Sequence, residues 1–167
     1  LVGSPKFPSK MVLSKQLVGM LKHTNQQVKS VKLSCWNTSL NDLNMMETKK
    51  IDPILKDDRG LFFEVANKLE IRHIVVTTFN KNAIRGNQFR KNMDQYFFLI
   101  SGKAKLVTKS LNNSTKNETQ LTQGSLAYIP RNTAFVTIAE KESILLEFSP
   151  QEFDPSNPDI NKFELIS

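Results

Sequence analysis

An all-β barrel or sandwich carrying an N-terminal helical extension is the fold class this sequence predicts, and three observations predict it. From about residue 60 onward, short runs rich in aromatic and β-branched residues follow one another at 61–65, 71–79, 95–100, 103–109, 125–129, 134–138 and 143–148. Turn signals punctuate them: Asp57-Asp58-Arg59-Gly60, Ser101-Gly102, Asn112-Asn113-Ser114 and Gln123-Gly124. Many short strands at even spacing, with no helical pattern between them, indicate a sandwich or barrel and exclude a parallel α/β sheet. Helical periodicity is confined to residues 10–33, where Leu13, Leu17, Met20, Leu21, Val28 and Val31 recur at three- and four-residue intervals with lysines between them. Pro8 and Ser9 mark the start of that helix as break and cap. Pro150, Pro155 and Pro158 make the tail an extended segment. The expected organisation is therefore a basic arm with an amphipathic helix over 1–50, a barrel over 51–150 and an extended tail over 151–167.

Composition narrows the function classes. The chain has 167 residues, 39% of them apolar and 11 of them Phe, enough for one domain with a buried core. No apolar run approaches the roughly 20 residues of a transmembrane helix. Cys35 is the one cysteine, which excludes an internal disulfide framework and a cysteine-based zinc cluster and points to an intracellular setting. Asn37-Thr38-Ser39 and Asn117-Glu118-Thr119 match the glycosylation acceptor pattern, but in so Asn-rich a chain they read as surface loops. The net charge of +7 is unevenly placed: residues 1–41 hold Lys6, Lys10, Lys15, Lys22, Lys29 and Lys32 and no acid. The basic character belongs to the arm and not to the globular body, which disfavours a nucleic-acid platform on the folded domain. Nor does the arm offer the arginines and aromatics that stacking on RNA bases needs. Being acid-poor, Ser-containing and amphipathic, the arm has features of an organelle transit segment, although its cations are all Lys. The mitochondrial matrix or an inner-membrane complex, and otherwise the cytoplasm, are the compartments this suggests.

Two segments carry a family resemblance. Ile84-Arg85-Gly86-Asn87-Gln88-Phe89-Arg90, followed by Gln95-Tyr96-Phe97-Phe98-Leu99-Ile100-Ser101-Gly102, resembles the first motif of the cupins. That motif places two histidines one residue apart, then a Glu or Gln, then a Gly; here the frame reads Gln88, Arg90, Gln95 and Gly102. The second motif expects a Gly, a Pro and a His, and is met by Gly124 and Pro130, with Phe135 at the His position. Asp58-Arg59-Gly60, Arg85-Gly86-Asn87 and Glu152-Phe153-Asp154-Pro155 with Pro158-Asp159 resemble, in order, stretches of the cupins that act on nucleotide-linked sugars and assemble capsular polysaccharide. The resemblance implies a cupin barrel, that is, a double-stranded β-helix or jelly roll, and in many cupins a metal held at the motif positions.

The residues at those positions do not suit a metal. A cupin metal needs imidazoles and a carboxylate, whereas Gln88 and Gln95 offer weak amide oxygens, Arg90 a fixed positive charge and Phe135 nothing. No metal or other cofactor is expected. The histidine that related sugar isomerases use as a base is missing too, and an amide cannot replace it because it does not titrate near neutral pH. His23 and His73 are the two histidines of the chain. His23 falls in the helix, while His73 alternates with Ile71 and Val75 and would share their face, either as a structural histidine or as a displaced acid or base. Asp94 and Tyr96 adjoin the first motif and are candidate binding residues, Tyr96 equally a candidate for the core. Arg90, directed into a barrel, needs a partner: an ion pair with Glu64 or Glu147 is the expected arrangement, and a phosphate or carboxylate ligand the alternative.

The candidate ligand-binding residues are thus Arg90, Gln88, Gln95, His73 and Tyr96. The expected function is a non-catalytic cupin retained as a binding or assembly subunit of a larger complex, engaging protein partners through the basic arm and pairing as a homodimer. The alternative is a metal-independent nucleotide-sugar isomerase or epimerase, whose ligand would be a sugar or anionic small molecule.

Overall fold

A computed structural model describes residues 46–113 and 115–166. The amphipathic helix read at 10–33, His23 and the lysine arm lie outside the described residues. Within them the chain runs through twelve strands: β1 (Glu47–Lys50), β2 (Leu55–Asp57), β3 (Gly60–Phe62), β4 (His73–Phe79), β5 (Ile84–Phe89), β6 (Gln95–Ser101), β7 (Lys103–Ser110), β8 (Lys116–Thr122), β9 (Ser125–Ile129), β10 (Thr133–Ala139), β11 (Ser143–Ser149) and β12 (Asn161–Lys162). Two five-stranded antiparallel sheets result, ordered β1-β9-β6-β11-β4 and β12-β5-β10-β7-β8, with β2 and β3 forming a separate hairpin. Consecutive strands keep crossing from one sheet to the other, so the two sheets form the jelly-roll barrel of the cupin fold.

Alternation along each strand decides which side chains go in. Phe97, Leu99, Ala127, Ile129 and Leu145 from the first sheet meet Leu106, Leu121, Phe135 and Ala139 from the second in one buried cluster. Their neighbours point the other way. Phe98, Leu126 and Phe148 form a second cluster on the outer face of the first sheet, covered by Ile51, Phe63, Val65, Ala66 and Leu69. The run read as a strand at 61–65 is therefore mostly a cover: it pairs only through Leu61 and Phe62, and Phe63 and Val65 pack on the sheet. The cover leaves β4 bare. Ile74 and Val76, on the outer face of this edge strand, are each 60% exposed.

Two glycines of the motifs are required by close approach. Gly86 has φ +119°, and a Cβ there would stand 2.6 Å from the Phe135 carbonyl, where the β5–β10 register shifts by a bulge. Gly102 turns β6 into β7 at φ +93°, where a Cβ would collide with the Ser143 hydroxyl and the Glu142 carbonyl.

Candidate functional site

Toward one end of the barrel the inward positions change from apolar to polar on most of the strands that line it; β9 is the exception, with Ile129 opposite Gln95. On β4 the inward series runs from Phe79 through Thr77 and Val75 to His73. On β6 it runs from Leu99 and Phe97 to Gln95, which is 7% exposed; on β7 from Leu106 to Thr108; on β10 from Phe135 to Thr133; and on β11 from Leu145 through Glu147 to Ser149. Gln88 lies opposite Phe135 and takes the same side. The registers Ser149↔His73, Glu147↔Phe97 and Thr133↔Ser110 bring these residues to one end. Gln88, Gln95 and His73 are thus gathered in the polar half, with Arg90 just beyond the end of β5.

Tyr96 is not gathered with them. Alternation sends it outward, where its ring stacks on Phe148 at 5.1 Å and lies 5.0 Å from Tyr128. Burial, aided by the Asp94 carboxylate, pushes its phenol above the usual range.

Arg90 does not make the ion pair expected with Glu64 or Glu147. Its Nη1 donates to the Asp159 carbonyl oxygen at 2.6 Å, and its Nε is buried with no partner among the described residues. Loss of solvent lowers its pKa, against the nearby charges of Asp159 and Glu147. Two features hold it away from an ion pair. The loop after it is fixed by the Asp159 carboxylate, which accepts from the Lys91 and Asn92 amides at 3.0 and 2.6 Å. Although burial opposes it, those amide bonds keep the Asp159 carboxyl below its ordinary value. Asp94 then ties the loop to the second motif, pairing with Arg131 at 2.8 Å and accepting from its amide at 2.9 Å.

The Arg-Gly-Asn and Pro-Asp stretches acquire physical roles here. Asn87 donates to the Ile166 carbonyl at 2.9 Å and accepts from the Leu165 amide at 3.0 Å, holding the tail along β5 as β12. The tail thereby carries Asp159 to Arg90 and Phe153 to His73, whose ring it stacks on at 5.1 Å.

Glu147 is the functional candidate that sequence reasoning placed only as an ion-pair partner. It accepts from Thr77 Oγ1 at 2.7 Å. Burial pushes its carboxyl above the ordinary range, while the Thr77 bond and the charges of Arg90, His73 and Arg85 pull it back. The signal was in the strand 143–149, where an acid occupies an inward position between Leu145 and Ser149.

A metal does not fit this set. Arg90 and Phe135 stand at two of the four motif positions, and among the described residues no three His, Cys, Asp or Glu side chains cluster as ligands. Thr108 Oγ1, buried without a protein partner, borders a cavity of about 30 Å³ also lined by Met46, Ser110 and Thr133, which has room for water and little else. Elsewhere, β4 and β5 lie in different sheets and do not pair. There Val75 is 37% exposed and the Arg85 guanidinium lies over the Phe79 ring at 5.8 Å.

Residues 55–161 match the family model described as the polysaccharide biosynthesis C-terminal domain. Among solved structures, the chain is similar to the capsular polysaccharide assembling protein CapF from Staphylococcus aureus, at 20% identity and a TM-score of 0.53. That match covers 65% of this chain and 31% of CapF, so the chain spans about a third of that relative's length. It is also similar to dTDP-4-dehydrorhamnose 3,5-epimerase from Sulfolobus tokodaii, at 18% identity and TM-score 0.59, covering 67% of this chain and 74% of that one. A variant of the QdtA 3,4-ketoisomerase from Thermoanaerobacterium thermosaccharolyticum, in complex with TDP, gives 18% identity and TM-score 0.58, covering 67% and 84%. These likenesses show the cupin fold of the epimerase and isomerase type. No curated protein matches the chain.

Proposed function

The chain belongs to the polysaccharide biosynthesis C-terminal domain family, and from that premise we propose that its barrel binds a nucleotide-linked sugar and acts on it as a metal-independent isomerase or epimerase. The observation that carries this reading is Arg90, whose Nε is buried without a partner among the described residues, in the polar half of the barrel that also holds Glu147. A purely structural arginine so placed would be ion-paired, since leaving a buried guanidinium nitrogen without a partner costs free energy. A phosphate or a sugar oxygen entering between β4 and β5 would complete it, with Arg85 at the entrance and Gln88 and Gln95 as neutral hydrogen-bonding groups for hydroxyls. The similar epimerase and isomerase structures support the same substrate class.

A second reading, a binding or assembly module without catalysis, is favoured by one observation: neither Gln88, Arg90 nor Phe135 supplies an imidazole. Calorimetric titration with TDP and with TDP- and UDP-linked sugars, followed by product analysis, tests the proposal. Binding that weakens at least tenfold in Arg90→Met, about 1.4 kcal/mol, and turnover of at least one sugar are expected. Binding without turnover of any sugar, or no binding at all, would overturn the isomerase or epimerase reading and leave the module.

For partners, we propose a second copy on the bare outer face of β4 and protein contacts through the lysine arm. Between His73 and Phe79 the edge strand carries no Lys, Arg, Asp, Glu or Pro to discourage pairing. Among the described residues no helix is long and apolar enough to cross a membrane.

A further inference from the structure

We propose that Glu147 is the proton-transfer residue of this barrel, taking the place of the absent histidine, when the bound nucleotide-linked sugar carries a ketone. The inference rests on the reading of the barrel as a nucleotide-sugar site. Glu147 occupies an inward position of β11, beside Val75 on one side and Phe97 on the other, directly above the apolar half. One carboxylate oxygen accepts from Thr77 Oγ1 at 2.7 Å, and no ion pair or other hydrogen bond engages the carboxylate among the described residues. A carboxylate oriented by one hydroxyl, flanked in register by Val75 and Phe97 and otherwise unengaged has the arrangement of a general base.

The charged groups around it suit the chemistry. His73 faces it from β4, and Arg85 and Arg90 from β5 and its end; the neighbouring strand β6 offers Gln95 and Phe97, which carry no charge. All the charged groups acting on it are cationic or titrate to cations, so no second acid competes for the proton. Burial raises the Glu147 carboxyl above its ordinary value, the direction that makes a carboxylate a stronger base.

The step balances without an oxidant. The C–H bond next to the ketone breaks, its proton passes to the Glu147 carboxylate, and its electron pair becomes the C=C bond of an enediolate. The negative charge gathers on the former ketone oxygen, where the Arg90 guanidinium would stabilise it. The hydroxyl proton of the neighbouring carbon moves to that oxygen, and Glu147 returns its proton to the former ketone carbon. The carbonyl has then moved by one carbon, and Glu147 is again ionised.

The test uses the full chain, a TDP-linked 4-keto sugar and heavy water. Deuterium entering the sugar at the carbons flanking the ketone is followed by mass spectrometry and NMR, beside calorimetric binding of the same sugar. Wild type is expected to bind and exchange. Glu147→Gln should bind within about threefold and exchange at least 100-fold more slowly, with Glu147→Asp in between. The wild-type exchange rate should rise with pH through one ionisation that Glu147→Gln lacks. Exchange in Glu147→Gln at the wild-type rate, or binding by wild type with no exchange, overturns the role of Glu147 and leaves the binding site standing. Failure of the wild type to bind overturns the nucleotide-sugar reading itself. Thermal melting of each variant separates loss of exchange from loss of fold.

Discussion

Leu145 and Glu147 stand two residues apart on β11 and point the same way, yet they belong to different regimes. Leu145 is 1% exposed among Phe79, Phe97, Leu99 and Leu106, where every neighbour is apolar and nothing remains unsatisfied. Glu147 lies one step further along, among His73, Thr77 and the arginines, where burial works against its charge and one hydroxyl supports it. The same change occurs from Leu106 to Thr108 on β7 and from Phe97 to Gln95 on β6. The apolar half holds the sheets together, and the polar half spends part of that stability on groups whose hydrogen bonds are incomplete: Arg90 Nε and Thr108 Oγ1. The difference teaches that a barrel of this kind carries its stability and its chemistry at opposite ends of the same strands.

Breaking the apolar half should have the largest effect. Phe97→Ala removes a ring that meets Phe135 edge-on at 5.2 Å and is 1% exposed, and should cost about 3–5 kcal/mol in a urea titration. Changes in the polar half should move stability far less and ligand binding more. Arg90→Met should leave the unfolding free energy within about 1 kcal/mol of wild type, or raise it, because it removes a buried unpartnered nitrogen. Asn87→Ala cuts the bonds that hold the tail to β5 and should cost about 1–3 kcal/mol; hydrogen exchange should show the amides of Leu165 and Phe163 losing protection. Asp94→Asn weakens a pair with Arg131, whose side chain is 46% exposed, and should cost about 1 kcal/mol or less.

A pH series sharpens the same contrast. The folded-state pKa of Glu147 is raised, mainly by burial, so the folded state holds the proton more tightly than the unfolded chain does. The resulting stabilisation is fully present below the unfolded value near 4.5 and is lost as pH rises through the folded value. Relative to Glu147→Gln, the wild type should therefore lose stability over that window, whereas Leu145→Ala should lower stability by a similar amount at every pH.

How much of this was legible in the residues follows from what each feature depends on. The strands at 71–79, 95–100, 103–109, 125–129, 134–138 and 143–148 were readable because aromatic and β-branched runs between turn residues need no partner to declare themselves, whereas β5, Ile84–Phe89, was not among the runs read. The segment 61–65 misled in part, since an apolar run that covers a sheet has the same composition as one that joins it; only Leu61 and Phe62 pair. Strand β8, Lys116–Thr122, was unreadable because it is polar at most positions and pairs along the exposed side of β7. Tyr96 was placed beside the site by its motif, but adjacent strand positions face opposite ways, and Gln95 alone turns inward.

By itself the sequence determined the all-β class, the barrel turn at Gly102, and the replacement of metal-binding side chains by Gln88, Arg90, Gln95 and Phe135, because these depend on local backbone chemistry and on residue type. Tertiary structure alone decided what Arg90 touches. Its partner is the backbone carbonyl of Asp159, 69 residues away, brought there by the tail that Asn87 binds. It decided equally that Glu147 stands apart from Arg90 and leans on Thr77, 70 residues distant. Which long-range groups meet is set by strand register and tail path, and a side chain's neighbours in space, not those in sequence, fix its charge and its chemistry.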